Sequence, residues 1–396
     1  MVIRYTEIKS AITPINEDHV REFLSGIEKA GNFTFEKIGT DAYAEIDFCL
    51  IFVLTGGTEG LFLKDLDIFA TKPCYLLTSG ESNSLAASME ILSYLKSHGH
   101  KGEILHGDAN HIAERITNLF RKDRTLAKLQ GAKAGTIGGS SDWLIDSDPD
   151  EAAYREKLGV GIVHIPMSEF LDEIRKGGYV ENQWTEKLLS LGYDRAEMQK
   201  ALDVYGAAKR LVVKYGLSAV TVRCFDLLTT VHTTGCLALA ILNAEGIYAG
   251  CEGDMPSLIS MMILGEISQK PIFMCNLNRI DTANREMIFA HCTLPVNMPY
   301  TMSLTTHYES GIGVAIAGSI TEEDFTIFKI SNDLSRHFTA EGRIIENRRD
   351  PNLCRTQIKV GLDHYEYFLT DPIANHHVVC VGKYKAALED FCHGPQ

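Results

Sequence analysis

The sequence has no CxxC pair, no uncharged apolar run of the roughly 18 residues that cross a bilayer, and no excess of basic side chains. Each absence excludes something. The ten cysteines stand at 49, 74, 224, 236, 251, 275, 292, 354, 380 and 392, a spacing that suits neither a disulfide framework nor a cysteine zinc site. Most lie in apolar stretches such as Phe48-Cys49-Leu50 and Val379-Cys380-Val381, as buried free thiols of a reducing compartment would. With no spanning run, no membrane segment is expected. With 38 basic against 52 acidic residues and a formal charge of −14, the surface repels a phosphate backbone, and no nucleic-acid partner is expected. The first residues, MVIRYTEIKSAITPINEDHV, lack the apolar core of a signal peptide, so a cytoplasmic protein is expected. The GxGxxG, P-loop and GxSxG patterns are also missing.

What is present is ordinary globular material. Hydrophobic residues make up 45% and charged residues 23% of 396, and at roughly 150 residues per domain the length suggests two or three domains. The expected fold class is α/β: two open, Rossmann-like α/β domains over 1–130 and 131–277, then a β-rich, antiparallel, barrel-like domain over 278–396. In the first, Asp18 to Ala30 has helical spacing, and Phe48 to Thr55, Cys74 to Thr78 and Gly102 to Leu105 read as buried parallel strands. In the second, Ala134 to Ile137, Gly161 to Ile165, Val220 to Phe225 and Pro271 to Leu277 read as strands, with helices at Thr234 to Asn243 and Leu258 to Ser268. Beyond 286, short alternating runs with turn glycines replace the helical pattern.

Three features carry possible chemistry. Gly56-Gly57-Thr58-Glu59-Gly60 and Gly138-Gly139-Ser140-Ser141 each follow a strand and read as phosphate cradles or as plain tight turns. Gly250-Cys251-Glu252-Gly253-Asp254-Met255-Pro256 sets two carboxylates two residues apart before a helix; Asp254 reads either as a helix cap or as a neighbour of a metal ligand. His291 and the pair His376-His377 stand at strand ends. A carboxylate and two imidazoles are a usual donor set for Mn²⁺, Co²⁺ or Zn²⁺.

Taken in order, these residues resemble the L-fucose isomerase / L-arabinose isomerase superfamily. Arg223-Cys224-Phe225-Asp226, Thr234-Gly235-Cys236-Leu237, Cys251-Glu252-Gly253-Asp254 and Phe273-Met274-Cys275-Asn276 carry most of the likeness. Ala290-His291-Cys292, His307-Tyr308-Glu309-Ser310-Gly311, Cys354-Arg355-Thr356 and Asn375-His376-His377 are similar to the fucose-isomerase C-terminal domain. The resemblance implies a divalent metal, Mn²⁺ first and Co²⁺ or Zn²⁺ as alternatives, and aldose–ketose isomerisation of an open-chain sugar through a cis-enediol. It implies Glu252, His291 and His377 as metal ligands, and Glu252, Asp254 and Asn276 as catalytic positions. His307, Glu309 and Arg355 would bind substrate, Arg355 through an anionic substituent. A homo-oligomer, trimer or hexamer, is also implied. One position departs from the pattern: where a second acidic ligand would fall stands Asn276, whose amide can coordinate through its oxygen but cannot act as a general base. A sugar epimerase or lyase on the same scaffold, or a sugar-binding homologue without turnover, are the alternative readings.

Overall fold

A computed structural model of the chain describes residues 1–393. Those residues form two compact units: Met1–Ala127 together with the segment from Ala386 onward, and Lys128–Lys385.

The first unit is built on strands β1 (Val2–Ile8), β2 (Thr34–Lys37), β3 (Cys49–Val53), β4 (Cys74–Leu77) and β5 (Gly102–Leu105). All pair in parallel, in the order β2-β1-β3-β4-β5. The unbroken apolar run of β3 follows from burial on both faces. Leu50 and Phe52 join Ile3, Tyr5, Tyr75 and Leu77 in one core, while Cys49, Ile51 and Val53 join Cys74, Leu76 and Ile91 in another. The helix Glu17–Gly31 starts where the Asn16 side chain accepts from the amides of Asp18 and His19, and ends at Asn32 in the left-handed conformation. The C-terminal segment returns to this unit because Arg115 pairs with both Glu103 and Asp390, and Phe391 is buried. Residues after 385 therefore leave the β-rich region to which the sequence pattern assigns them.

The second unit begins with a parallel sheet of β6 (Lys133–Ile137), β7 (Gly161–Ile165), β8 (Ala219–Val222) and β9 (Tyr248–Cys251), in the order β7-β6-β8-β9. Then come β10 (Phe273–Asp281), β11 (Glu286–His291), β12 (Thr301–Thr305), β13 (Ala315–Ser319), β14 (Asp324–Ile330), β15 (His337–Arg348), β16 (Thr356–Leu362) and β17 (His376–Val381). Six of these close an antiparallel barrel, β10-β11-β16-β15-β14-β17, and β12 pairs with β13 beside it. The expected barrel-like antiparallel region is thus a closed barrel, which leaves no free strand edge in its wall.

The sheet and the barrel do not separate at residue 277. The helix Met255–Ser268 lies between them, touching β8 and β9 on one side and β14 and β17 on the other. Its residues are buried all round except Glu266, as expected of a helix without an amphipathic stripe. No helix among the described residues is long and apolar enough to cross a membrane.

Phe52 is fully buried and packs its ring against Tyr5 and Phe23. Phe52→Ala is expected to cost about 3–5 kcal/mol through lost burial and a residual cavity, read as a lowered urea midpoint for the transition that unfolds the first unit.

Candidate functional site

β9 ends at Cys251, and the chain turns sharply through Glu252 and Gly253 before the helix Met255–Ser268. Both turn residues have positive φ, 62° and 72°. Glu252 is a side-chain-bearing residue in the left-handed region, a conformation that costs on the order of 1–3 kcal/mol and must be held by its surroundings. The holding is visible. The Ser141 amide donates to the Glu252 carbonyl at 2.9 Å and the Gly253 amide to the Val222 carbonyl at 3.1 Å. A Cβ on Gly253 would stand 2.0 Å from the Gly139 carbonyl oxygen. The Gly138–Ser141 loop is therefore a backbone wall against which the Glu252 turn is pressed, and Gly253 is the glycine that the close approach requires.

The Glu252 side chain has a hydrogen bond at one oxygen and two imidazoles near the other. Oε2 accepts from the Trp143 indole N–H at 2.6 Å. Oε1 lies 3.9 Å from Nε2 of His291 and 3.4 Å from Nε2 of His376. Burial alone would raise the pKa of this carboxyl, but the two imidazoles outweigh it and hold the group well below the usual carboxylate range. His291, at the end of β11, is fixed through Nδ1 to the Thr293 hydroxyl at 2.9 Å. His376, at the start of β17, donates from Nδ1 to Asp254 Oδ2 at 2.9 Å, and its Nε2 is buried with no hydrogen-bond partner. Burial opposes a charge on His376, yet Asp254 and Glu252 together push its pKa up to about 9.

Asp254 lies behind this set, fully buried. It caps the helix Met255–Ser268 by accepting from the Ser257 amide at 2.8 Å and from the Ser257 hydroxyl at 2.7 Å. The Lys329 ammonium stands 3.7 Å from its Oδ1 and donates to Ser257 Oγ at 2.6 Å. Burial penalises the Asp254 carboxylate, but Lys329 and His376 keep it ionised. Asp254 is thus at once the cap and the neighbour of the central carboxylate, the two roles its sequence position allowed, and it reaches the cavity only through His376.

The structure brings together Glu252, His291, Asp254 and Asn276, and turns His377 away. Adjacent residues of a strand point to opposite faces. His376 faces Glu252, so His377 faces the Phe338, Tyr367 and Phe368 rings, with Nε2 hydrogen-bonded to the Tyr367 hydroxyl at 2.9 Å. Burial and the Lys329 charge lower its pKa to about 3. The imidazole that complements Glu252 and His291 is therefore His376. The register decides this: Asn276 is the cross-strand partner of His376, and Cys275 of His377.

Above Glu252 opens a cavity of about 470 Å³, lined by Trp143, Phe225, Glu252, Asn276, Leu277, Asn278, Glu309 and Asn375. Glu309 and Asn276 are thus placed in its wall. The sequence reading gave no site role to Trp143, Phe225, Asn278 and Asn375, although Phe225 and Asn375 stand inside the segments that carry the resemblance and Asn278 lies two residues beyond Asn276 on β10. His307 stands behind, edge-on to Phe225 at 5.6 Å and hydrogen-bonded to Ser310. Arg355 is turned elsewhere: its guanidinium donates to the Thr306 carbonyl at 2.8 Å and to the Thr306 hydroxyl at 3.2 Å. Donor atoms of Cys251, Glu252 and His291 also lie within 4.8 Å of one another, close enough to share a metal ion.

A concave cavity with aromatic walls, a few convergent polar groups and a buried carboxylate–imidazole set is the form of a small-molecule site. No family model matches the chain. Its sequence is similar to sulfoquinovose isomerases: 24% identical over 53% of this chain and 49% of the relative from Alkalicoccus urumqiensis. The figures are 23% over 63% and 59% for the relative from Priestia megaterium, and 31% over 46% and 42% for that from a Clostridium species. The chain spans about half the length of the curated relatives it matches. These likenesses support a divergent relative of the sugar isomerases.

Two variants test the architecture. Gly253→Ala is expected to destabilise the second unit by well over the ~1 kcal/mol typical of a tolerated glycine change, because the methyl group meets backbone; a thermal midpoint within a degree of wild type would contradict the close approach. Lys329→Met leaves Asp254 buried and short of its cation, an expected loss of about 3–5 kcal/mol in denaturant unfolding.

Proposed function

We propose that the chain is a metal-dependent aldose–ketose isomerase acting on an open-chain sugar through a cis-enediol. The observation that carries this reading is the convergence of Glu252 Oε1 with Nε2 of His291 and His376, at 3.9 and 3.4 Å, beneath a polar cavity. The donor set fits a cation. With Nδ1 donating to Asp254, a neutral His376 presents the lone pair of Nε2 to the Glu252 carboxylate, an unfavourable approach unless a proton or a metal ion lies there. Mn²⁺, Co²⁺ and Zn²⁺ all accept one carboxylate and two imidazoles. A bound divalent ion would polarise the sugar's carbonyl and hydroxyl oxygens and make the α-proton more acidic.

The residues of the chain do the rest. Glu252 accepts the proton from C2 and returns it to C1, while the hydroxyl proton passes from O2 to O1. Trp143 holds the carboxylate through Oε2 and keeps its plane fixed. The Asn276 and Asn375 amides and the Glu309 carboxylate orient the hydroxyls, and the Trp143 and Phe225 rings cover the C–H faces of the sugar. The names of the similar proteins support isomerase chemistry on a sugar. Asn276 leaves Glu252 as the shuttle base, which suits transfer between neighbouring carbons on one face. The homo-oligomeric state and the cytoplasmic location expected from the sequence belong to this same reading.

Glu252→Gln keeps the shape but cannot take a proton; exchange of the C2 hydrogen in D₂O is expected to fall about 10²–10⁴-fold, and a loss under threefold would place the base elsewhere. Metal binding separates the adjacent histidines. Mn²⁺ at 100 times its dissociation constant should stabilise wild type by about 2.7 kcal/mol. His376→Ala should lose that gain in a thermal melt, while His377→Gln, which can still bond Tyr367, should keep it. The reverse pattern would restore His377 as the ligand.

A further inference from the structure

The strand that leads into the Glu252 turn ends on a donor that the isomerisation chemistry leaves unused. Cys251, the last residue of β9, is 3% exposed, and its Sγ lies within 4.8 Å of donor atoms of both Glu252 and His291. A second buried thiol touches it: Cys224 Sγ stands 2.9 Å from Cys251 Sγ. The backbone of Cys251 is held on both sides, its amide by the Met274 sulfur at 3.5 Å and its carbonyl by the Thr221 hydroxyl at 3.3 Å. The charges around the donor set are short on the negative side. Among the described residues lining the cavity the carboxylates are Glu252 and Glu309, and Glu309 is exposed. Asp254 is taken up by His376, Lys329 and Ser257, and Asn276 offers a neutral amide. A divalent ion on Glu252 and two imidazoles would keep an unbalanced charge in a buried place, which is costly.

A thiolate removes that imbalance. A cysteine that ligates a metal ion is deprotonated outright: the S–H bond breaks, the metal–sulfur bond forms, and the proton leaves to the buffer. Glu252 and Cys251 together then carry the two negative charges that a divalent ion needs. The Cys224 thiol can donate to the Cys251 sulfur, the kind of outer contact that orients a ligand. Thiolate suits Zn²⁺ and the softer ions, whereas carboxylate, carbonyl and water suit Mn²⁺. Resting on the metal-dependent reading above, we infer that Cys251 is itself a metal ligand, bound as thiolate beside Glu252, His291 and His376, and that it widens the preference of the site for Co²⁺ and Zn²⁺ over Mn²⁺. Nitrogen and oxygen sites already bind Mn²⁺ more weakly than either ion, so the diagnostic quantity is the part of that preference that depends on Cys251.

Co²⁺ is the probe, added to the full-length protein after chelation and dialysis, with the thiols kept reduced by a phosphine. Equilibrium dialysis measures binding, and a thiolate-to-cobalt charge-transfer absorption in the near ultraviolet reports sulfur ligation. Wild type should bind Co²⁺ and show the band. Cys251→Ser should still bind Co²⁺ but lose the band, and its ratio of Co²⁺ to Mn²⁺ affinity should fall at least about tenfold, no less than the loss of an outer-shell partner costs. Cys251→Ala gives the same comparison without a buried hydroxyl, should the serine variant not fold. Cys224→Ser, whose hydroxyl can still donate to Cys251, should keep both the band and the ratio. Cobalt bound by wild type without the band, or a band undiminished in the Cys251 variants, overturns the inference and leaves the metal-dependent isomerase reading standing. No binding of Co²⁺, Zn²⁺ or Mn²⁺ removes that reading, and the inference with it.

Discussion

Gly253 meets the Gly139 carbonyl with no room for a side chain between them, and the candidate site hangs on that contact. It fixes the turn after β9, holds Glu252 in a left-handed conformation that its side chain disfavours, and presents the carboxylate inward rather than along the sheet. A relaxed turn would swing Glu252 away from both imidazoles. The strain is local, and the hydrogen bonds from Ser141 and Gly253 that offset it come from the ends of three parallel strands. This is where open α/β sheets place ligands, because loops diverge beyond the carboxyl ends of the strands and leave a crevice.

Buried charge is the second constraint. Glu252, Asp254, His376 and Lys329 form a chain of opposite charges in which each ionised group has a partner. Buried ions are tolerated only when paired and hydrogen-bonded, so the site cannot lose one member without exposing another. Asp254 joins the two demands. Its oxygens cap the helix Met255–Ser268 and orient His376, so the helix shared by sheet and barrel is also the support of the site. That explains why the boundary near 277 is a change of texture in the sequence and not a gap between bodies.

Residue type and local pattern made Glu252, His291 and the His376-His377 pair visible as a candidate donor set, and the parallel strands of both sheets were legible as apolar runs. The choice between the two adjacent histidines was not. It depends on which face of β17 looks toward Glu252, and that is set by the register of β17 against β10. A shift of one residue would exchange them. The partner of Arg355 was likewise not legible: its guanidinium donates to the Thr306 carbonyl, 49 residues away in the chain.

The sequence by itself determined the mixed α/β character with an antiparallel C-terminal region and the absence of a long apolar span, because these follow from composition and from periodicities of two and 3.6 residues; Glu252 stood out through the family resemblance instead. Only the tertiary structure decided that His376 faces the site, that Trp143 joins it, and that the C-terminal segment returns to the first unit. Those outcomes rest on barrel closure and on backbone contacts between loops more than 100 residues apart, such as Ser141 to Glu252. No local pattern encodes which of two neighbouring side chains a closed strand will turn inward.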